Sequence, residues 1–362
     1  MANICTHACF LMGTAVVVGA GEEAKQDFWI AELIAIILGS LIVIAYFYLI
    51  RYGGDRNLYQ LIKDQFGTYL GGTIIFCYVI YFLYLASRNI RDLTELMRVT
   101  IMPLTPIEVV SIMMILLVTY TVFLGLEILG RVTEIVVPYI VGLILFIALL
   151  LFVSGEMDFQ NLQPIFAEGF QPILKAIFPT LLTFPYGELI VFTVFMASTN
   201  HISYVGKISV SSILCAGMLI LLSDLIQITV LGVDLKGRSL FPLLVAAREI
   251  NILGFFERVD ILVVFILTTG IFIKVSVFFL ASIKGLQFVF NVHYRDLVLP
   301  IGMLISYYSI VIASNVAEHF EEGLQLVPYV LHIPFQFIIP TCIFLLLAIK
   351  KMRKRGNLYE HF

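Results

Sequence analysis

Residues 173–196 read ILKAIFPTLLTFPYGELIVFTVFM, and this stretch decides the fold. About 20 apolar residues in a helix cross the hydrocarbon core of a bilayer. Inside this run Pro185 removes an amide donor and crowds the preceding turn, Gly187 frees the backbone, and Glu188 puts a carboxylate at membrane depth. Pro185 alone is compatible with a simple kink repaired by neighbouring helices. Together, Pro185, Gly187 and Glu188 read as a helix broken near the midplane, whose exposed N–H and C=O groups need a polar ligand or ions as partners.

Working outward, nine further stretches approach spanning length: 4–21, 30–50, 70–87, 109–126, 135–153, 208–231, 261–283, 297–313 and 333–349. The chain is 60% hydrophobic and only 13% charged, with a mean hydropathy of +1.02. Soluble domains carry roughly twice that charge, so the bilayer is the solvent and an all-α, polytopic membrane protein of about ten transmembrane helices is expected. The spans divide five and five around the polar stretch 155–172, giving a first repeat at 1–154, a second at 173–349 and a basic tail at 350–362. An odd number of spans per half inverts the second repeat relative to the first. The first helix carries Gly13-Thr14-Ala15 and Gly19-Ala20-Gly21, so each half opens with its most breakable helix, the pattern of inverted-repeat transporters.

Lys and Arg set the orientation. With a cytoplasmic N-terminus the inner connections hold Arg51, Arg56, Lys63, Arg131, Lys207, Lys284, Arg295, Lys350, Lys351, Arg353, Lys354 and Arg355, which is twelve. The outer ones hold Lys25, Arg88, Arg91, Arg98, Lys236, Arg238 and Arg248, which is seven. Both termini are therefore expected in the cytoplasm, and the first apolar stretch is expected to stay as a helix, since it lacks the basic start and cleavage site of a signal peptide. With a net charge of -3 and positive residues spread through the chain except at the tail, nothing suggests a nucleic-acid partner. The five cysteines, all in apolar stretches and without CxxC spacing, read as small buried hydrophobes. No Walker loop, HExxH or GxSxG is present and the six histidines share no spacing, so neither an enzyme, a metal site nor a cofactor is expected.

Several charges lie in or beside the spans. Lys274, deep in the eighth stretch, either snorkels to the surface or points into the bundle and pairs there. Glu32 and Asp224, within about two turns of external helix ends, are expected to be interfacial and solvated. Arg88, Arg91, Asp92, Glu95 and Arg98 follow the third stretch with i,i+4 pairing and read as a solvated helix extension, with docking of a partner as the alternative for Arg88, Arg91, Asp92 and Glu95.

The runs GEEAKQDFWIA (21–31), IRDLTEL (90–96), MPLTP (102–106), FPYGE (184–188), FERVD (256–260) and FIKVS (272–276) resemble the spore germination permease family, the B subunits of nutrient germinant receptors within the amino acid-polyamine-organocation superfamily. The match runs from the first helix to the eighth in order; the last two helices match in hydropathy only. The resemblance implies a five-plus-five inverted-repeat fold in the spore inner membrane, an A subunit and a lipid-anchored C subunit as partners, and a small nutrient, commonly an amino acid, bound in the pocket that related permeases use. The N-terminus is shorter than usual for the family. Members sense different germinants, so the resemblance does not name this ligand.

Exposed helix N-termini suit a carboxylate and exposed carbonyls an ammonium. The expected pocket is therefore Gly13, Thr14 and Ala15 of the first helix with Pro185, Tyr186, Gly187 and Glu188 of the sixth, and Tyr78 or Tyr81 and Thr268 or Thr269 nearby. By the resemblance, Lys274 stands where relatives of this fold hold a sodium ion, donating to carbonyls freed around Gly13 to Ala15. Three functions use such a pocket or fold: a nutrient-sensing receptor subunit, a secondary amino-acid transporter working by alternating access, and a structural subunit that binds no nutrient.

Overall fold

The computed structural model describes residues 2–19, 21–198, 202–250 and 258–359. Ala20, His201, Phe256, Glu257 and His361 lie outside the described residues, as do the side chains of Lys354 and Arg355. Among the described residues every regular element is a helix. Eight helices are long and apolar enough to cross a membrane, or nine when Tyr294–Val311 and Val316–Leu326, bent by 111°, count as one span; the apolar part of the first helix, Cys5–Val18, is shorter.

The first helix is Ala2–Val18, the second Phe28–Tyr52, the third Thr68–Thr100, the fourth Ile107–Leu124 and the fifth Leu126–Ser154. The sixth covers Gln171–Val194, the seventh Ile202–Arg238, the eighth Asp260–Phe290 and the ninth Tyr294–Val311. The tenth starts at Val316, passes through Val327 in helical geometry and continues along Pro328–Arg353. These ten follow the order of the ten apolar stretches.

The first, sixth and eighth helices are the most enclosed, while the fourth, fifth and tenth face outward. Large apolar side chains such as Leu116, Tyr120, Ile135, Phe152 and Met303 are exposed on that outer surface, as a lipid-facing wall requires. The cysteines divide accordingly: Cys9 is buried, whereas Cys77, Cys215 and Cys342 face outward, which corrects the expectation that all five are enclosed.

Both expected breaks are present. The first helix leaves helical geometry at Gly13 (φ 0°, ψ -109°). The sixth has extended backbone at Phe178 and Phe184, each just before a proline, where ring contacts disfavour the helical region. Its turns are π-helical over Ala176–Tyr186 and tighten to 3-10 geometry over Gly187–Val194. The eighth helix, free of interior proline, runs unbroken for 31 residues against the third and the first. Gly13 and Gly270 let that contact form: a Cβ on Gly270 would sit 2.8 Å from Gly13 Cα. The backbones touch, and the side chain of Lys274, one turn along, fills the space beside Gly13.

Candidate ligand site at the broken helices

Lys274 is fully buried, and its Nζ lies 2.6 Å from Glu188 Oε2. It also donates to Thr14 Oγ1 at 3.5 Å and lies 4.4 Å from the centre of the Phe184 ring and 5.5 Å from that of Phe10. The lysine therefore points into the bundle beside the first-helix break. Its main partner is the carboxylate of the sixth helix, where the sequence pointed to carbonyls of Gly13 to Ala15. The pairing follows from the break: Glu188 opens the segment after Pro185, and its side chain reaches Lys274 across the gap left by Gly13. Two desolvated opposite charges offset each other here, and either alone would be strongly unfavourable.

Beside this pair lies a cavity of about 60 Å³, room for roughly two waters. The first helix contributes Thr14 and Val18 to its wall, the third Leu85, Arg88, Asn89 and Asp92, and the sixth Phe184 and Glu188. The tenth contributes Phe320, Gly323, Leu324, Val327 and His332. Asn89 donates to Leu85 O and leaves its buried Oδ1 without a partner among the described residues. Such an acceptor suits an ammonium or hydroxyl donor.

The third and tenth helices meet beside the cavity. Arg88 donates to His319 O and lies 3.6 Å from Glu322 Oε2. Asp92 Oδ1 lies 2.7 Å from His319 Nε2. Gly323 makes room for Arg88, since a Cβ there would collide with its Nη2. Further along, Arg91 pairs with Glu95 at 2.9 Å and donates to Ile310 O at 3.1 Å, while Arg98 approaches Glu95 at 3.5 Å. The solvated extension expected here is thus corrected: Arg88, Arg91 and Glu95 are buried against the ninth and tenth helices, and only Arg98 is half-exposed. Their charges are matched within the chain.

A second polar layer lies below. Gln336 Nε2 donates to Tyr81 OH at 2.9 Å, and Tyr81 OH lies 2.7 Å from His332 Nδ1. Tyr81 thus links the amide of Gln336 to the imidazole of His332. Tyr78 donates to Phe335 O at 2.6 Å. The tenth helix is π-helical over Glu322–Leu326 and Pro328–Ile338, a distortion frequent at functional sites.

Of the expected pocket, Thr14 and Glu188 line the cavity. Gly13, Ala15, Pro185 and Gly187 form the buried backbone around it, with Gln336 packed so tightly on Gly187 that a Cβ would collide with its Oε1. Tyr78 and Tyr81 serve the layer below. Tyr186 turns the other way, donating to Glu32 at 2.6 Å. Thr268 and Thr269 bond back to Val264 O and Phe265 O of their own helix and do not line the cavity. Sequence reasoning missed Asn89 and the tenth-helix set His319, His332 and Gln336. The signal was the i,i+4 spacing of His332 and Gln336 on one face of an otherwise apolar stretch.

A family model described as spore germination protein, the spore permease model, matches residues 4–318. The chain belongs to the spore permease family. It is 32% identical over 351 residues to spore germination protein KB of Bacillus subtilis (strain 168), covering 96% of this chain and 94% of that protein. Spore germination protein YndE of the same organism is 25% identical over 93% of this chain and 90% of its own length. Spore germination protein XB of Bacillus anthracis is 21% identical over 70% of each. Among solved structures, MhsT in complex with L-phenylalanine superposes with a TM-score of 0.66 at 13% identity, covering 96% of this chain and 97% of MhsT. That likeness shows the fold: the spore permease chain has the inverted-repeat, transporter-like architecture that its two broken helices indicated.

Proposed function

We propose that this spore permease chain is the nutrient-sensing subunit of a germinant receptor, binding a small nutrient such as an amino acid and triggering germination together with A and C subunits. The observation that carries the reading is the cavity where the broken first and sixth helices meet, with the Lys274–Glu188 pair on one side and the Arg88–His319 contact above. It combines charged, amide and hydroxyl groups with the apolar wall of Val18, Leu85, Phe184 and Leu324, a mixture that suits a small molecule with both polar and apolar parts. A ligand larger than the present cavity binds by favouring an arrangement in which the third and tenth helices stand further apart, and that difference in affinity is the signal passed on. The L-phenylalanine with which MhsT was crystallised supports an amino acid as the class of ligand.

In this reading the chain sits in the spore inner membrane with both termini cytoplasmic, so the end bearing Arg88 and His319 faces outward. The test combines solute uptake into proteoliposomes with germination of spores lacking the chain. A nutrient-specific germination defect without uptake supports the receptor. Uptake of the nutrient by the purified chain overturns it in favour of a secondary transporter.

A further inference from the structure

A second buried polar group, away from the cavity, joins the second, sixth and seventh helices to the end of the first. Glu32 is fully buried; its Oε1 accepts from Tyr186 OH at 2.6 Å, and its Oε2 has no partner among the described residues. Asp224 is equally enclosed and its Oδ1 lies 2.8 Å from Lys236 Nζ, which in turn lies 4.4 Å from the centre of the Phe28 ring. Gln227 donates to Val16 O and Ser223 Oγ and leaves its Oε1 without a partner among the described residues. Gly19, in the left-handed region (φ 68°), brings the end of the first helix against this group: a Cβ there would lie 3.4 Å from Gln227 Oε1 and 3.6 Å from Asp224 Oδ1. The expectation that Glu32 and Asp224 are solvated is thereby corrected, because nearness to a helix end measures depth along the helix and not enclosure by neighbours.

The titratable groups facing Glu32 are Tyr186 from the sixth helix and Asp224 and Lys236 from the seventh. Two carboxylates therefore share one ammonium, and that ammonium is in contact with Asp224. An ionised Glu32 would be an unmatched buried charge with one oxygen lacking any donor, the costliest arrangement a low-dielectric interior offers. A bound proton removes the first and larger fault, because the charge disappears. An alkali ion fits less well, since it needs several oxygens and the Asp224 carboxylate is already held by Lys236.

We infer that Glu32 is a proton-binding site, occupied in this arrangement of the helices and coupled to the ligand cavity through Tyr186, which stands two residues before Glu188 on the sixth helix. A movement of the sixth helix that widens the cavity pulls the Tyr186 hydroxyl from Glu32 Oε1, and because that donor favours the ionised carboxylate, its loss holds the proton more firmly as the site opens. This goes beyond nutrient sensing and needs no ligand to test.

The experiment is infrared difference spectroscopy of the full chain in lipid nanodiscs at neutral pH, without nutrient. The carbonyl-stretch band of a protonated, hydrogen-bonded carboxylic acid is expected in the parent, absent in Glu32→Gln and shifted to higher frequency in Tyr186→Phe. A Glu32→Gln spectrum that keeps every carboxylic acid band of the parent overturns the inference. If Glu32→Gln does not accumulate, an unshifted band in Tyr186→Phe overturns it equally. A band that is present in choline chloride and vanishes in sodium or potassium chloride also overturns it, and identifies an alkali ion as the occupant. Because no nutrient enters the experiment, a failure here leaves the germinant-receptor reading standing.

Discussion

Lys274 of the eighth helix and Glu188 of the sixth, 86 positions apart in the second half of the chain, form an ion pair of 2.6 Å at the break in the sixth helix, with side chains 0% and 3% exposed. Removing one partner of such a pair leaves an unmatched buried charge and costs about 3–5 kcal/mol, whereas replacing both is far milder. Lys274→Met and Glu188→Gln should each lower the thermal stability of the purified chain by that order. The double variant should lose much less than the sum. Additive losses would show that the two charges do not depend on each other.

Lys274→Arg should rescue poorly. The Lys274 Cδ already lies 3.1 Å from where a Cβ on Gly13 would stand, and a planar guanidinium needs more room than an ammonium. Stability and nutrient response equal to the parent in this variant would contradict the enclosure described here.

Gly270→Ala tests the backbone contact between the first and eighth helices. Its Cβ would lie 2.8 Å from Gly13 Cα and 3.0 Å from Gly13 O, and neither atom is a movable side-chain end. A loss of about 1–3 kcal/mol is expected, in the range of overpacked cores, read as a lower unfolding temperature in detergent. Alanine at Gly72, where a Cβ meets nothing within 4 Å, should be neutral in comparison.

The contact between the third and tenth helices should control access to the cavity. His319→Ala removes the partner of Asp92 and loosens the segment that Arg88 holds. In a chain otherwise free of cysteine, Thr14→Cys should then react several-fold faster with a membrane-impermeant thiol reagent. An unchanged rate would mean that the cavity is closed elsewhere.

In the proposed orientation both termini are cytoplasmic. Single cysteines at Glu156 and Arg355 should be labelled from outside and from inside respectively, and external labelling at position 355 would reverse the orientation.

How far the sequence carried depends on whether a signal is local. Pro185, Gly187 and Glu188 lie within four residues of one another, so the broken sixth helix was legible from the residues themselves, as was the matching break at Gly13. The partner of Lys274 was not, because which helix faces the lysine is set by tertiary packing. The same cause hid the tenth helix: His319, His332 and Gln336 look like isolated polar residues until the third helix brings Asp92 and Tyr81 against them. Asn89 was passed over as part of a charged extension, yet it is buried at the cavity wall.

The most direct test of the central claim is the nutrient dose response of spores carrying Val327→Phe, which fills the cavity from the tenth helix, beside Ile80→Phe, which adds the same ring on an exposed surface of the third. With both chains at parental abundance, the account predicts that Val327→Phe needs at least about tenfold more nutrient for half-maximal germination, equivalent to roughly 1.4 kcal/mol of binding, while Ile80→Phe responds like the parent. A parental dose response in Val327→Phe would contradict the placement of the nutrient in this cavity.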